Sequence, residues 1–539
     1  MRLLRPAALL ALLAALAVTA LAGDVLAEYQ TRFKRGRFPD TKKEVVAELV
    51  ATAKPDALKA LRWCVSSARA WAADDRVQGD KLRGKADAAL AKLLEKMQAY
   101  FDQQKKQGNP NPTTRPRFPE DDEYDKLRST MDSLDAEAVG ETQSAAAALD
   151  GCGALVAKLT AEQQKSVRDD WTRTLLASKD WAVRAEGYEL LGHTTTPWAT
   201  ETLVAAVHAS EADARALVVA VDGLAGRDPK LVTQALLLRV DDVRWLVRVA
   251  VVAALEATPS KEGIDALVRR LAKEDGRLKE DCTRALRALT GADIGPLPEA
   301  WRLWWEKNRE KWNGKPPPVA AKPPSPFAKD EKKPDEGERK TGTFFGIEIE
   351  SKRVVFVIDV SGSMREPVGG GPDPKATKIS LAKRELKQAI GGLEDGALFD
   401  VVFFSAGVKT WKPDMQKADA KTRKEAQEFT DATEADGGTN TYDALDAAFA
   451  IGDLGKGRKR ETDPTGDARM DTIVFLSDGK PSVGRTTDPD AIRAAVREWN
   501  RARRIVVHAV AFGVDAKDGA DPKFMEGLAQ DTGGSYRGM

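Results

Sequence analysis

The chain has 539 residues, 42% hydrophobic and 31% charged, which is too long for one hydrophobic core and predicts two or three domains. Its 84 basic and 83 acidic residues leave a formal net charge of +1, which excludes both a global basic field for nucleic acid and an acidic tail. Three cysteines, Cys64, Cys152 and Cys282, lie far apart and form no C-x-x-C pair, so neither a thiolate metal site nor a dithiol is expected. They read as three buried thiols in helices, with one disulfide as the alternative.

Residues 1–22 read as a signal peptide: Arg2 and Arg5 precede an almost wholly apolar run from Ala7 to Ala22, and Ala20-Leu21-Ala22 offers a small-x-small cleavage site. An uncleaved anchor is the alternative, but the apolar run is short for a bilayer span of about 20 residues. No cysteine follows it, so no lipid anchor is indicated, and no later segment is apolar enough to span a membrane. A secreted, periplasmic or cell-envelope location is expected.

Residues 23–165 are rich in Ala, Lys and Glu, with apolar positions at helical spacing as in "ADAALAKLLEKMQAYF" (86–101). Prolines in "GNPNPTTRPRFPED" (108–121) divide the expected helical hairpins. Residues 166–312 repeat weakly: "DWAVRAEGYELLG", "EADARALVVAVDGLAG" and "VRWLVRVAVVAAL" carry Arg184, Arg215 and Arg248 at spacings of 31 and 33. A period near 30 with two helices per unit predicts a solenoid, and D-x-x-V-R-x-x-A resembles HEAT repeats. That resemblance implies a ladder of Asp and Arg between units. Trp301, Trp304 and Trp305 share one face of the last helix and are expected to close the solenoid's end rather than stack on sugars.

Residues 313–340 are rich in Pro and Lys with little to bury, so they read as a tether that sets reach and not angle. Residues 341–539 then alternate strands with helices. Expected strands are "FFGIEI", "RVVFVID", "LFDVVFFS", "TIVFLSD" and "RIVVHAVAFG"; expected helices include 378–392, "TYDALDAAFAIG" and "DPDAIRAAVREWNRAR". Continuous apolar strands point to a parallel sheet covered on both faces, a doubly wound, Rossmann-like α/β domain.

In such sheets ligands bind beyond the carboxyl ends of the strands. Asp359 ends "RVVFVID", Ser361 and Ser363 follow in the turn, Thr439 lies in "DGGTNTYDAL", and Asp478 ends "TIVFLSD". Two carboxylates and three hydroxyls form an all-oxygen set without His or Cys, which suits a hard divalent cation: Mg²⁺ first, with Mn²⁺ or Ca²⁺ as alternatives.

"DVSGS", "GGTNTYDAL" and "FLSDGKPS", in this order, resemble the von Willebrand factor type A domain with a complete metal-ion-dependent adhesion site. The resemblance implies a metal held by the hydroxyls of Ser361, Ser363 and Thr439, with Asp359 and Asp478 binding directly or through water. It also implies a protein partner whose Asp or Glu completes the coordination. Asn440, Asp443 and Gly362 are supporting or turn residues with no ligand role. Many members of that family continue into a final helix whose movement tunes affinity; here the chain stops after "FMEGLAQDTGGSYRGM", so regulation of that kind is not expected.

No catalytic set emerges. His193, His208 and His508 are scattered, the serines lack a G-x-S-x-G elbow, and neither a Walker motif nor a dinucleotide fingerprint occurs. The expected function is therefore non-enzymatic, metal-dependent protein binding, with no nucleic acid and no small-molecule cofactor. The alternatives are an envelope scaffold binding through its repeats with a structural metal, and a metal-dependent hydrolase.

Overall fold

The computed structural model describes residues 25–35, 39–107, 115–209, 211–314, 343–349, 351–368, 376–451, 470–500, 503–513 and 520–539. The expected signal peptide and nearly all of the expected tether lie outside these residues. The chain divides into two compact units: Met1–Leu155 with Asn440–Tyr442 and Pro481–Ala495, and the remainder. These units cut across the expected boundaries, because two short segments of the α/β half, each running into the start of a helix, group with the N-terminal helices. Among the described residues, no helix is long and apolar enough to cross a membrane.

The first unit is helical: Val25–Arg32 (α1), Pro39–Ala51 (α2), Asp56–Lys106 (α3) and Pro119–Lys158 (α4). The break between the two long helices falls on the proline-rich stretch, as expected from the missing N–H and fixed φ of proline. Six alanines, Ala57, Ala60, Ala68, Ala72, Ala86 and Ala89, are buried along α3. The core also takes in charge: Lys42 and Glu141 are 1% and 2% exposed and pair with each other. The Lys42 ammonium also lies over the rings of Phe33 and Trp71, at 5.2 and 5.0 Å.

Arg485, from the segment Pro481–Ala495, is buried in this unit. Its guanidinium donates to Asp135 at 2.7 Å and Asp80 at 3.0 Å. Gly79 makes the room, since a Cβ there would stand 1.9 Å from Arg485 Nη2. Arg128 donates to the Gly484 carbonyl and to Thr487 Oγ1, so the loop is held at several points.

The second unit opens with short helices: Ala161–Trp171 (α5), Trp181–Gly192 (α6), Pro197–His208 (α7), Ala214–Asp222 (α8), Pro229–Leu237 (α9), Trp245–Ala257 (α10), Lys261–Leu271 (α11), Gly276–Thr290 (α12) and Pro298–Asn308 (α13). Side-chain caps punctuate them, with Asp180, Asp213, Asp228 and Ser260 each accepting from a backbone N–H of the first turn.

The three arginines used to mark a repeat do not occupy one position. Arg184 and Arg248 are each the fourth residue of their helix, and each donates to carbonyls five and six residues earlier and to a half-buried glutamate, Glu211 or Glu274. Arg215 is the second residue of α8 and grips Asp213. That contact recurs at Arg244 with Asp242, so the middle arginine belongs to a different register. Sequence spacing alone could not separate positions two residues apart.

Trp301 and Trp305 of α13 are buried and their indole N–H groups donate to the Gly295 carbonyl and to Asp265, both at 2.7 Å. Trp301 and Trp305 are thus packed into the helical region, whereas Trp304, on the same face, is half-buried. Cys64, Cys152 and Cys282 are free and buried, which removes the disulfide alternative.

The sheet consists of β3 (Arg353–Asp359), β4 (Leu398–Phe404), β5 (Val408–Thr410), β6 (Gln416–Lys417), β7 (Thr472–Ser477), β8 (Val506–Ala511) and β9 (Tyr536–Gly538). Its order is β5-β4-β3-β7-β8-β9, with β6 also on β4; β3, β4, β7, β8 and β9 run parallel and β5 and β6 antiparallel. The associated helices are Lys378–Gly392 (α14), Ala420–Asp431 (α15), Thr441–Ile451 (α16), Pro489–Asn500 (α17) and Pro522–Thr532 (α18). Alternate residues Val354, Phe356 and Ile358 of β3 pack with Leu386 and Ile390 of α14 in one core. On the other parity, Phe404 and Phe475 stack with centroids 5.5 Å apart.

"FFGIEI" is a correction. It forms a hairpin, β1 (Thr343–Phe344) against β2 (Ile347–Glu348), and not a strand of the sheet. Phe345 and Gly346 have φ of +49° and +76°, the left-handed pair of a tight reversal, which one continuous strand cannot contain.

Within this unit the helical region meets the amino ends of the strands. Arg277 of α12 is 6% exposed and donates to the carbonyls of Asp471 and Arg504, Lys352 pairs with Asp275 at 2.8 Å, and Arg504 pairs with Asp222.

Candidate functional site

Strand order explains where a site can form. From β3 the chain adds β4 on one side and later β7 on the other, so the carboxyl end of β3 is the switch point of the sheet. Connections leave in opposite directions there and open a crevice. Ile358 pairs with Leu476, so Asp359 and the residues that follow β7 arrive at one level.

Asp359 is fully buried. One carboxylate oxygen accepts from the Ser361 N–H at 2.7 Å and the other from Ser477 Oγ at 2.6 Å. Burial pushes its carboxyl up to about 6, with the neighbouring Asp478 charge adding to the rise and the serine hydrogen bonds opposing it. The turn after β3 presents Ser361 Oγ and Ser363 Oγ 3.1 Å apart, and both donate to Asp478 Oδ1, at 3.4 and 2.8 Å. Asp478 is 1% exposed.

The loop carrying Thr439 is stitched to that turn. Gly362 N–H donates to the Gly437 carbonyl at 2.9 Å and Asp436 N–H to the Val360 carbonyl at 2.8 Å. Gly437 has φ +78°, which a side-chain-bearing residue would resist, so one of the two glycines of "DGGTN" is needed for the turn. A Cβ on Gly479, the residue after Asp478, would stand 3.2 Å from Thr439 Oγ1. Thr439 therefore borders the Asp478 turn, and all five residues singled out in the sequence come from three loops bound together at one end of the sheet. Asn440 and Asp443 are buried next along the chain, at 4% and 5% exposure.

Two participants were not anticipated. Ser477 fixes the second oxygen of Asp359; alternation along β7 could have suggested it, as Ser477 is the last strand residue before Asp478. Lys378, the first residue of α14, places Nζ 2.8 Å from Asp478 Oδ2 and 2.7 Å from Glu366 Oε2. Only folding brings it there, because 100 residues separate it from Asp478.

The donor chemistry suits a hard cation. The oxygens present are carboxylate and hydroxyl, and of the two buried carboxylates Asp478 faces the Lys378 ammonium while Asp359 is held by hydrogen bonds. Among the described residues no group of three or more His, Cys, Asp or Glu side chains is placed to hold a metal ion, so an ion bound here would need the hydroxyls. His508 sits within β8, its Nδ1 accepting from Ser535 N–H at 3.1 Å, and burial lowers it to about 4.

Residues 352–538 match the family model of the von Willebrand factor type A domain. Among curated proteins, the chain is 32% identical over 192 residues to inter-alpha-trypsin inhibitor heavy chain H4 of Homo sapiens, covering 36% of this chain and 18% of that one. It is 31% identical over 172 residues to heavy chain H6 of Homo sapiens, covering 32% and 12%. The chain thus spans less than a fifth of these relatives' length. Among solved structures, a von Willebrand factor type A protein from Catenulispora acidiphila aligns with 26% identity and a TM-score of 0.28, over 36% of this chain and 39% of that one. The chain therefore carries, over residues 352–538 and behind a helix-rich N-terminal region, a von Willebrand factor type A domain.

Proposed function

We propose that the chain is a secreted or periplasmic binding protein that holds a protein partner through a divalent cation at the carboxyl end of β3. Ser361, Ser363 and Thr439 would hold the ion by their hydroxyls, and Asp359 and Asp478 directly or through water. Such an ion, Mg²⁺ before Mn²⁺ or Ca²⁺, supplies a positive centre for an Asp or Glu of the partner. The observation that carries this reading is the convergence of two buried carboxylates with serine hydroxyls at the sheet's switch point. The relatives named as inhibitor heavy chains support a binding role over a catalytic one. The scattered histidines also favour a non-enzymatic chain. The recurring arrangement at Arg184 and Arg248 supports reading residues 166–312 as HEAT-like repeats, a second scaffold surface.

The test has two arms. Calorimetric titration of the full chain with Mg²⁺ and Mn²⁺ should show one site that Asp359→Ala abolishes. Affinity capture from the native envelope should lose its partner in EDTA and in Asp359→Ala alike. Capture that persists in both while EDTA lowers the melting temperature would move binding to the helical repeats and leave the metal structural. Phosphoester or peptide hydrolysis lost in Asp359→Ala would revive the enzyme reading.

A further inference from the structure

We infer that Lys378 is a built-in rival cation for Asp478, and that Glu366 is the place to which its ammonium withdraws when a divalent ion takes up the site. This rests on the proposal that the Asp359–Asp478 cluster binds such an ion.

A lysine at the first position of a helix needs a reason. The amino end of a helix carries unpaired N–H groups and the positive end of the dipole, so a cation there is disfavoured and acidic residues are the usual choice. α14 has no acidic residue in its first turn. Lys378 is nonetheless held firmly: its side chain is 12% exposed, and its backbone N–H donates to the Glu366 carbonyl at 3.0 Å. A bridge between Pro367 and Thr377 sets the same approach of the two segments.

The ammonium stands between two unlike carboxylates. Asp478 is fully buried in its side chain, whereas Glu366 is 63% exposed. Asp478 is itself divided, with Oδ1 facing Ser361 and Ser363 and Oδ2 facing Lys378. Without a divalent ion, Lys378 offsets one of the two buried negative charges. A divalent ion does the same from the hydroxyl side and meets a like charge across the same carboxylate. Because Glu366 already lies within hydrogen-bonding distance, Lys378 can keep an ionic partner while loosening its hold on Asp478. Two substitutions should then act in opposite directions, which a merely structural lysine would not produce.

The experiment is titration of the full chain with Mn²⁺ and Mg²⁺, read by calorimetry and by the electron paramagnetic resonance signal of free Mn²⁺. Folding of each metal-free variant is checked by circular dichroism. Lys378→Met should bind Mn²⁺ at least tenfold more tightly than the native chain. Lys378→Arg, which keeps the charge, should stay within about threefold of native. Glu366→Gln should bind severalfold more weakly, since Lys378 is then left with Asp478 alone. If the native chain binds Mn²⁺ and Lys378→Met binds equally or more weakly, the inference falls and the metal site stands. Should Lys378→Met not fold, Glu366→Gln decides: equal or tighter binding overturns the rivalry. If neither the native chain nor a folded Lys378→Met binds either ion, the metal reading falls and the inference falls with it.

Discussion

The N-terminal helical unit and the carboxyl end of the sheet both bury charge, but they balance it differently. In the helices, Lys42 meets Glu141 and Arg485 meets Asp135 and Asp80, so each buried ion faces its opposite inside the protein. At the end of β3, Asp359 accepts from the Ser361 N–H and the Ser477 hydroxyl, while Asp478 has a lysine on one side and hydroxyls on the other. A closed pair is finished and contributes to structure. An incompletely balanced pair is where the proposed ion would add its charge. His508 shows a third solution, in which a buried ionisable group stays neutral.

The largest effect should come from opening a closed pair. Arg485→Met leaves Asp135 buried without its cation and should destabilise the N-terminal unit by about 3–5 kcal/mol, read as the earliest transition in urea unfolding followed by circular dichroism. A double variant that also carries Asp135→Asn should recover much of that loss. Recovery of nothing would show that Arg485 acts by packing and would break the contrast with the sheet site.

The neutral solution is tested by pH. His508 is lowered to about 4 in the folded chain, so between that value and its ordinary 6.5 the unfolded chain binds the proton and the folded chain does not. Stability from this group is therefore fully present above pH 6.5 and lost as pH falls toward 4, by about 3 kcal/mol over the window. Asp400, raised by burial to about 7, works in the opposite sense: its contribution is present below 3.8 and lost as pH rises to 7. Melting curves across this range should therefore lose part of their rise with pH in His508→Leu and part of their opposing fall in Asp400→Asn.

The unbalanced pair should respond to ions. Saturating Mg²⁺ at a hundred times its dissociation constant should stabilise the second unit by about 2.7 kcal/mol, and Asp359→Asn should abolish that increment. An unchanged increment would place the ion elsewhere. The smallest effect belongs to the exposed triad of Arg302 with Glu299 and Glu306, where both acids are more than half exposed. Arg302→Ala should leave the thermal melt nearly unchanged, because such pairs are well screened by solvent.

Much of the fold was legible because it is locally encoded. Helix 378–392 lies where its spacing places it, and continuous apolar runs mark the four long strands. The expected elements do not include α15, α18, β5, β6 or β9; α15 is strongly polar and the three strands are only two or three residues long. The hairpin at "FFGIEI" was misread because its reversal depends on positive φ at Phe345, a type that rarely signals a turn. Arg215 was placed in the wrong register because one turn of helix offers several arginine positions and only the partner carboxylate tells them apart.

For the site, the sequence by itself determined the chemical type of the candidate residues and their position at or just beyond strand ends, because side-chain alternation and strand termination are local properties. Only the tertiary structure decided that Lys378 and Glu366 share the Asp478 carboxylate and that Arg485 leaves the α/β half to be buried against Gly79, Asp80 and Asp135. The reason is the same in both cases. A charge has no periodicity, and what it does depends on which opposite charge the fold brings within about 3 Å of it, often from hundreds of residues away.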